Sequence, residues 1–382
     1  MRVKKLNGVS QTAAAAVVIV VVAVIAGGAY LFVVPGATNT SSTSKTSTAS
    51  FTLTTPVTLS AGGSSFVNPI MQVWTGAFRN QSGLISINYQ SIGSGAGQQG
   101  IFKGTFDFAG SDAPVTDQQL ANFTGKTLLQ IPQTLGGVAI FYNVPELGAT
   151  NIKLTGDVLA RVYLQQVTTW NDPSIVALNP GVSLPMKTIV VVHRSDGSGT
   201  TFALTDYLSK VSSTWKTSIG SATSVSWPAG ELGGKGSSGV AGLVSQNPYS
   251  IGYADTVYAT QNGLTIAAMQ NQAGNFILPT LDSISQAASQ FTTQMQSDTR
   301  VSITDAPGAN SYPIATFTYI LVWKGQADQS KGYSIAQFVW WVIHQGQSYG
   351  PKLLYPQLPA SVVAVDEALV RQINYNGQAF LG

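Results

Sequence analysis

The sequence has no cysteine, which removes disulfide staples, thiolate nucleophiles, cysteine-ligated metals and a lipid-modified cysteine anchor. An exported location stays open, because export does not require disulfides. Histidine is scarce as well: His193 and His344 stand far apart, and with no cysteine to join them they argue against a transition-metal site. Charge is the third shortage. Only 9% of the 382 residues are charged, so neutral polar groups must cover much of the surface. The net charge of +3 arises at the start of the chain. Residues 1–50 hold Arg2, Lys4, Lys5 and Lys45 and no acid, and taking those four from 19 leaves 15 basic residues against 16 acidic ones. A near-neutral body lacks the basic face that a phosphate backbone requires, so nucleic acid is not the expected partner.

Long apolar runs are also rare, with one exception. Residues 13–34, AAAAVVIVVVAVIAGGAYLFVV, are uncharged and long enough to span a bilayer as a helix at ~1.5 Å per residue. Arg2, Lys4 and Lys5 precede the run, and the positive-inside rule then leaves the body outside the cell. A cleaved secretory signal is the rival reading, although its apolar region is usually about 7 to 15 residues. The head KKLNG followed by VSQTAAAAVV resembles the pilin-like signals of archaeal binding proteins. Cleavage after Gly8 would in that case keep the apolar helix on the mature protein. Residues 37–56 are a Ser/Thr-rich linker, and Asn39, Asn80 and Asn122 each begin an N-x-[ST] sequon compatible with an exported surface.

From Phe51 the texture is α/β, with runs such as ISINYQ and TIVVVH alternating with helical stretches such as NPIMQVWTGAF and TGDVLARVYLQQV. A crossover is expected in TLGGVAIFYNV, where an apolar strand follows Gly136 and Gly137, and a return is expected within residues 305–317. Four segments share one style of chemistry. AGGSSFVNP places Ser64 or Ser65 where a helix N-cap belongs. YQSIGSGAGQQG runs from strand through a Gly/Ser turn into a helix. FDFAGSDAP puts Ser111 and Asp112 at a strand end. VVVHRSDGSGTTFALTDY delivers Arg194, Asp196, Ser198, Gly199 and Thr200 into a turn ahead of a helix, from a strand expected at residues 188–192. Inward backbone N–H groups, hydroxyls, a permanent cation and a helix N-terminus together form a receptacle for an oxyanion.

In this order the segments resemble the substrate-binding protein of the Pst-type phosphate ABC importer, from about Val57 to Ile373. The later GGKGSSGVAGLV, SIGYAD and TTWNDPSI belong to the same resemblance. It implies a type II periplasmic-binding-protein-like clamshell, with two α/β lobes and one phosphate in the cleft. The lobes would divide as 57–134 with 306–382 against 135–305, preceded by an anchor at 1–36 and the linker at 37–56. The partners implied are inorganic phosphate, the permease subunits and, through the N-terminal helix, the membrane; no cofactor is implied. Carried over, the phosphate contacts fall on Ser65, Phe66, Ser94, Asp112, Arg194, Ser198, Gly199 and Thr200, with Asp196 pairing the arginine. Ser65 stands where the family usually has Thr, which keeps the hydroxyl. Val67 stands where Pro is usual, which loosens that turn.

A carboxylate against a dianion makes sense only if the ligand has a proton to donate. Phosphate has one at ordinary pH and sulfate does not, so Asp112 would admit the first and repel the second. Competing readings are another oxyanion, an exported hydrolase built on Ser198, Asp196 and His193, and a structural subunit suggested by the pilin-like head. The hydrolase requires a relay among three side chains within six contiguous residues on one strand and tight turn. His193, Trp170 and the FVWWVIH stretch ending at His344 are expected in packing. GGKG also fails as a nucleotide phosphate loop, because Ala229 and Gly236 occupy the positions of the first Gly and the Ser/Thr.

Overall fold

The computed structural model describes residues 51–382; the leader, the apolar run and most of the linker lie outside the described residues. Among the described residues no helix is long and apolar enough to cross a membrane. In chain order the strands are β1 (Val57–Gly63), β2 (Ile85–Ser91), β3 (Phe108–Ser111), β4 (Leu128–Asn143), β5 (Lys153–Leu154) and β6 (Val190–Arg194). They continue with β7 (Leu232–Gly234), β8 (Ser250–Asp255), β9 (Thr265–Ile266), β10 (Ala268–Gln270), β11 (Phe276–Ile277) and β12 (Ala315–Trp323).

The main sheet has nine strands in the order β2-β1-β3-β12-β4-β8-β6-β7, with β9 also on β4. Its axis is β4, whose 16 residues are buried on both faces except at the last. At about 3.3 Å per residue it is roughly 50 Å long, enough to serve two half-sheets. Its first part pairs antiparallel with β12, from Leu128 opposite Trp323 to Gly137 opposite Ala315. Its second part pairs antiparallel with β8, from Val138 opposite Asp255 to Asn143 opposite Ser250. The partner therefore changes between Gly137 and Val138. The chain is mixed α/β in two halves joined through this strand, and β12 supplies the return.

Directions follow from the pairings. Strands β1, β2 and β3 are mutually parallel, and β12 lies antiparallel to both β3 and β4. Strands β6, β7 and β8 are parallel to one another and oppose β4. The carboxyl ends of both sets consequently converge on the middle of β4, which is where open α/β sheets collect ligand-binding loops.

Several local expectations are corrected. The strand expected after Gly136 and Gly137 starts at Leu128 and contains both glycines. Pro132 is accommodated because the register slips between Thr318 and Tyr319, leaving Gln133 in a bulge. The Gln133 amide donates to Thr318 Oγ1 and the Tyr319 carbonyl. Gly136 lies under the Phe66 ring, where a Cβ would stand 2.8 Å from it. The β6 strand runs from Val190 to Arg194 rather than over 188–192, since Thr188 only bridges Thr169. TGDVLARVYLQQV is helical only over Gly156–Tyr163, and Gln165 ends the turn with φ of 57°. Asp172 begins the helix Pro173–Val176, its carboxylate accepting the Ser174 N–H at 2.8 Å.

The helix Asn68–Ser82 starts with Pro69 in its first turn and buries Ile70, Met71, Trp74 and Phe78, a single face at helical spacing. Trp74 donates its indole N–H to the Gly346 carbonyl at 2.7 Å. The helix Gln329–Ile343 packs Phe338 against Phe78 and Phe108, with ring centroids 5.3 and 5.6 Å away. His344, just beyond it, bonds Trp340 O and Glu367 Oε1, and Trp170 is fully buried; both are packing residues. Phe338→Ala should lower stability by about 3–5 kcal/mol through the cavity it leaves. Urea unfolding followed by tryptophan fluorescence would test this, and an unchanged midpoint would remove this cluster from the core.

Candidate functional site

Each of the four turns leaves the carboxyl end of a strand. From β1 come Ser64, Ser65 and Phe66; from β3, Ser111 and Asp112. From β2 the chain passes Gly93, at φ 90° and ψ 149°, into the helix Ser94–Phe102. That backbone conformation is available to glycine and little else. From β6 it passes Asp196 and Ser198 into the helix Gly199–Val211. Ser198 caps this helix, its Oγ accepting the Thr201 N–H at 3.1 Å. The first N–H groups of a helix have no partner within it. With Thr201 satisfied, those of Gly199 and Thr200 remain directed out of the helix end.

Asp112 and Arg194 are 2% and 3% exposed, and Ser65, Phe66, Ser94, Ser198 and Thr200 are likewise buried. The Asp112 carboxylate accepts from Ser64 Oγ at 2.5 Å and from Ser94 Oγ at 3.3 Å. Arg194 grips Asp196 through two parallel bonds, Nε to Oδ1 at 2.8 Å and a terminal nitrogen to Oδ2 at 2.6 Å. Its other terminal nitrogen faces Thr200 Oγ1 at 3.4 Å and Ser237 Oγ at 3.5 Å. The bidentate pair fixes the plane of the guanidinium, and the Gly236 N–H, donating to Asp196 Oδ1 at 3.0 Å, fixes the carboxylate in turn.

The two halves meet across this site. The Gly95 N–H donates to the Gly197 carbonyl at 2.9 Å. A Cβ on Gly199 would stand 2.6 Å from Asp112 Cβ and 2.7 Å from Ser94 Oγ, so only glycine fits between the Arg194 turn and Asp112. Tyr258 donates to the Ser65 carbonyl at 2.7 Å, and Ser237 donates its N–H to Ser65 Oγ at 3.0 Å. The expected ligand contacts are therefore in one buried cluster with Asp196 partly buried at its edge, and with one qualification: the Phe66 ring turns away, toward Gly136 and Tyr355. Tyr355 donates to the Phe66 carbonyl at 2.6 Å, which leaves that residue's backbone rather than its ring as the group available to a ligand.

Neither Ser64 nor Ser65 is the helix cap expected of them. Val67 occupies that position without a side-chain bond, because Ser64 is committed to Asp112 and takes the Val67 N–H only at 3.3 Å. Ser64, Ser237 and Tyr258 were not among the expected site residues. Ser237 carried a usable signal, since GGKGSS repeats the order of strand, glycine, hydroxyl and helix seen at Arg194. His193 stacks on Trp227 with centroids 4.9 Å apart, and its Nδ1 meets the Arg194 carbonyl, so its ring is engaged outside any relay with Ser198. Among the described residues no group of His, Cys, Asp or Glu could hold a metal ion.

Burial pushes the Asp112 carboxyl up to about 6, against hydrogen bonds from Ser64, Thr318 and Ser94 and the Arg194 charge, which pull it down. Burial also raises Asp196, but the bonds and charge of Arg194 outweigh it and hold that carboxylate below its ordinary range. The site thus has one firmly ionised acid that serves the arginine and one poised acid that faces the cluster. A raised folded-state pKa stabilises the fold below the unfolded value near 4, and that contribution is lost as pH rises through 6. Asp112→Asn should therefore remove a fall of the order of 3 kcal/mol from the ligand-free protein between pH 4 and 7. Thermal melts across that range would test it; parallel wild-type and variant curves would count against a neutral Asp112.

The PBP superfamily domain matches residues 37–344 of the chain. Over 314 residues the chain is 43% identical to phosphate-binding protein PstS of Pasteurella multocida, covering 82% of this chain and 90% of that one. It is 35% identical over 332 residues to phosphate-binding protein PstS of Methanocaldococcus jannaschii, covering 81% and 85%. A high-affinity periplasmic phosphate-binding protein solved with phosphate has the same fold, with a TM-score of 0.65 at 19% identity over 82% of this chain and 93% of that one. A phosphate ABC transporter substrate-binding protein from Clostridium perfringens, also with bound phosphate, gives 0.59 at 17% identity over 79% and 100%. With its convergent strand ends, its Arg194–Asp196 pair and this extent of similarity, the chain belongs to the PstS phosphate-binding protein family of the PBP superfamily.

Proposed function

We propose that this protein is a membrane-tethered receptor on the outer face of the cell membrane that binds inorganic phosphate and passes it to the permease subunits of an ABC importer. The lobes divide as 57–134 with 306–382 against 135–305, and the ligand lies between them. The phosphate-binding relatives support this reading. The observation that carries it is Asp112, a buried acceptor set within a group of donors on which Arg194 is the cation.

The donors available to the ligand are the N–H groups of Phe66, Gly199 and Thr200, the hydroxyls of Ser65, Ser198 and Thr200, and the Arg194 guanidinium; the Ser94 hydroxyl joins them by giving up its bond to Asp112. Asp196 holds that guanidinium in place. Asp112 accepts the ligand's own proton. No step in this scheme makes or breaks a covalent bond, so the protein acts by binding and closure rather than by turnover. The uncharged run at 13–34, behind three basic residues, supports the N-terminal anchor.

A doubly charged phosphate still donates one hydrogen bond, whereas sulfate only accepts. At pH 8 Asp112 is ionised, so sulfate meets an unpaired acceptor of like charge and binds far more weakly. As pH falls through 6, Asp112 gains a proton and can donate to either ion. Isothermal titration at pH 8 and pH 5 should give a phosphate preference of at least a hundredfold at pH 8, shrinking by about tenfold or more at pH 5. Equal affinities at pH 8, or a preference independent of pH, would contradict the role of Asp112.

A further inference from the structure

Ser237 is the second residue of the helix Gly236–Gln246 and is fully buried. It lies 172 positions from Ser65 in the chain, yet touches it twice. The Ser237 N–H donates to Ser65 Oγ at 3.0 Å, and the two hydroxyl oxygens are 3.1 Å apart. On its other side Ser237 Oγ stands 3.5 Å from an Arg194 terminal nitrogen.

The chemistry of the groups and of an anionic ligand then constrains the hydrogen-bond polarity. A guanidinium can only donate, so Ser237 Oγ accepts from Arg194. Either hydroxyl of the pair can donate to the other, but once Ser65 gives its proton to an anion only the Ser237 proton is left to join the two oxygens, donated to Ser65 Oγ. A serine oxygen has two acceptor positions and one proton. At Ser65 one acceptor position is filled by the Ser237 N–H and the other by the Ser237 O–H. Ser65 is left with nothing to offer but its own proton.

We infer that Ser237 is a positioning residue for anion binding: it orients the Ser65 hydroxyl as an obligate donor and clasps Ser65 to the opposite half of the protein. The inference rests on the phosphate reading above. It assigns Ser237 no contact with the ligand itself. The relay runs from Arg194 through Ser237 to Ser65, so one fixed cation polarises a hydroxyl contributed by the other half-sheet. Because residues 65 and 237 come from opposite halves, the clasp exists only when the halves are together. Its loss should therefore be felt in the escape of the ligand rather than in its capture.

Stopped-flow and titration measurements with inorganic phosphate on wild type, Ser237→Ala, Ser65→Ala and the double variant test this. Ser237→Ala keeps the backbone N–H, and the expected result is a dissociation rate about tenfold faster, with an association rate within about twofold of wild type. In the Ser65→Ala background the same change should have little further effect, since the group it positions is gone. Ser237→Cys, nearly the same size but a weaker donor, should fall between, and serves should the alanine variant unfold. An unchanged dissociation rate in both Ser237 variants, or an equal effect with and without Ser65, would overturn the inference while leaving phosphate binding intact. Failure of the wild type to bind phosphate would overturn the functional reading as well.

Discussion

The site rests on one constraint: a carboxylate, Asp112, is buried against a turn that carries a guanidinium. Burying an unpaired charge is costly, and each neighbouring feature reduces that cost. Ser64 and Ser94 donate to the carboxylate, and Arg194 sits near enough for its charge to act on it. Gly199 gives the Arg194 turn room to approach. The result is an acid whose pKa burial lifts to about 6, sensitive to whether its neighbour can offer a proton. A second acid, Asp196, is kept ionised a short distance away by the bidentate arginine. Environment alone separates the two roles.

The β4 strand makes this meeting possible. By serving β12 along one part and β8 along the other, it aims the carboxyl ends of two oppositely directed sets of strands at one place. The turns that arrive there are short and rich in glycine and serine, so backbone approaches backbone, as at Gly95 and Gly197. Bulky side chains would hold the halves apart. The low charge of the chain fits the same design: the cluster is lined by neutral dipoles, and Arg194 is the cation among them.

Much of this was legible in the sequence. Strand, glycine, hydroxyl and helix in succession mark a candidate anion turn locally, so Arg194, Ser198, Gly199 and Thr200 could be singled out by inspection and Ser94 through the family resemblance, and the α/β texture gave the fold class. What could not be read were relations between distant segments. Ser64 looks like a helix cap because its local setting allows one, and only the fold brings Asp112 close enough to claim its hydroxyl. Ser237 and Tyr258 come from the other half of the protein to grip Ser65, and no local pattern encodes that. The Gly136–Gly137 pair suggested the edge of a strand, and no local pattern showed that these glycines and Pro132 share one. They lie within one because a bulge and a ring stacked over a bare backbone satisfy both.

The most direct measurement is a high-resolution crystal structure of the protein with phosphate. The account predicts phosphate between the two halves, one of its oxygens within a short hydrogen bond of an Asp112 carboxylate oxygen, and the others facing Arg194 and the N–H groups of Gly199 and Thr200. Phosphate bound elsewhere, or Asp112 turned away from it toward solvent, would contradict it.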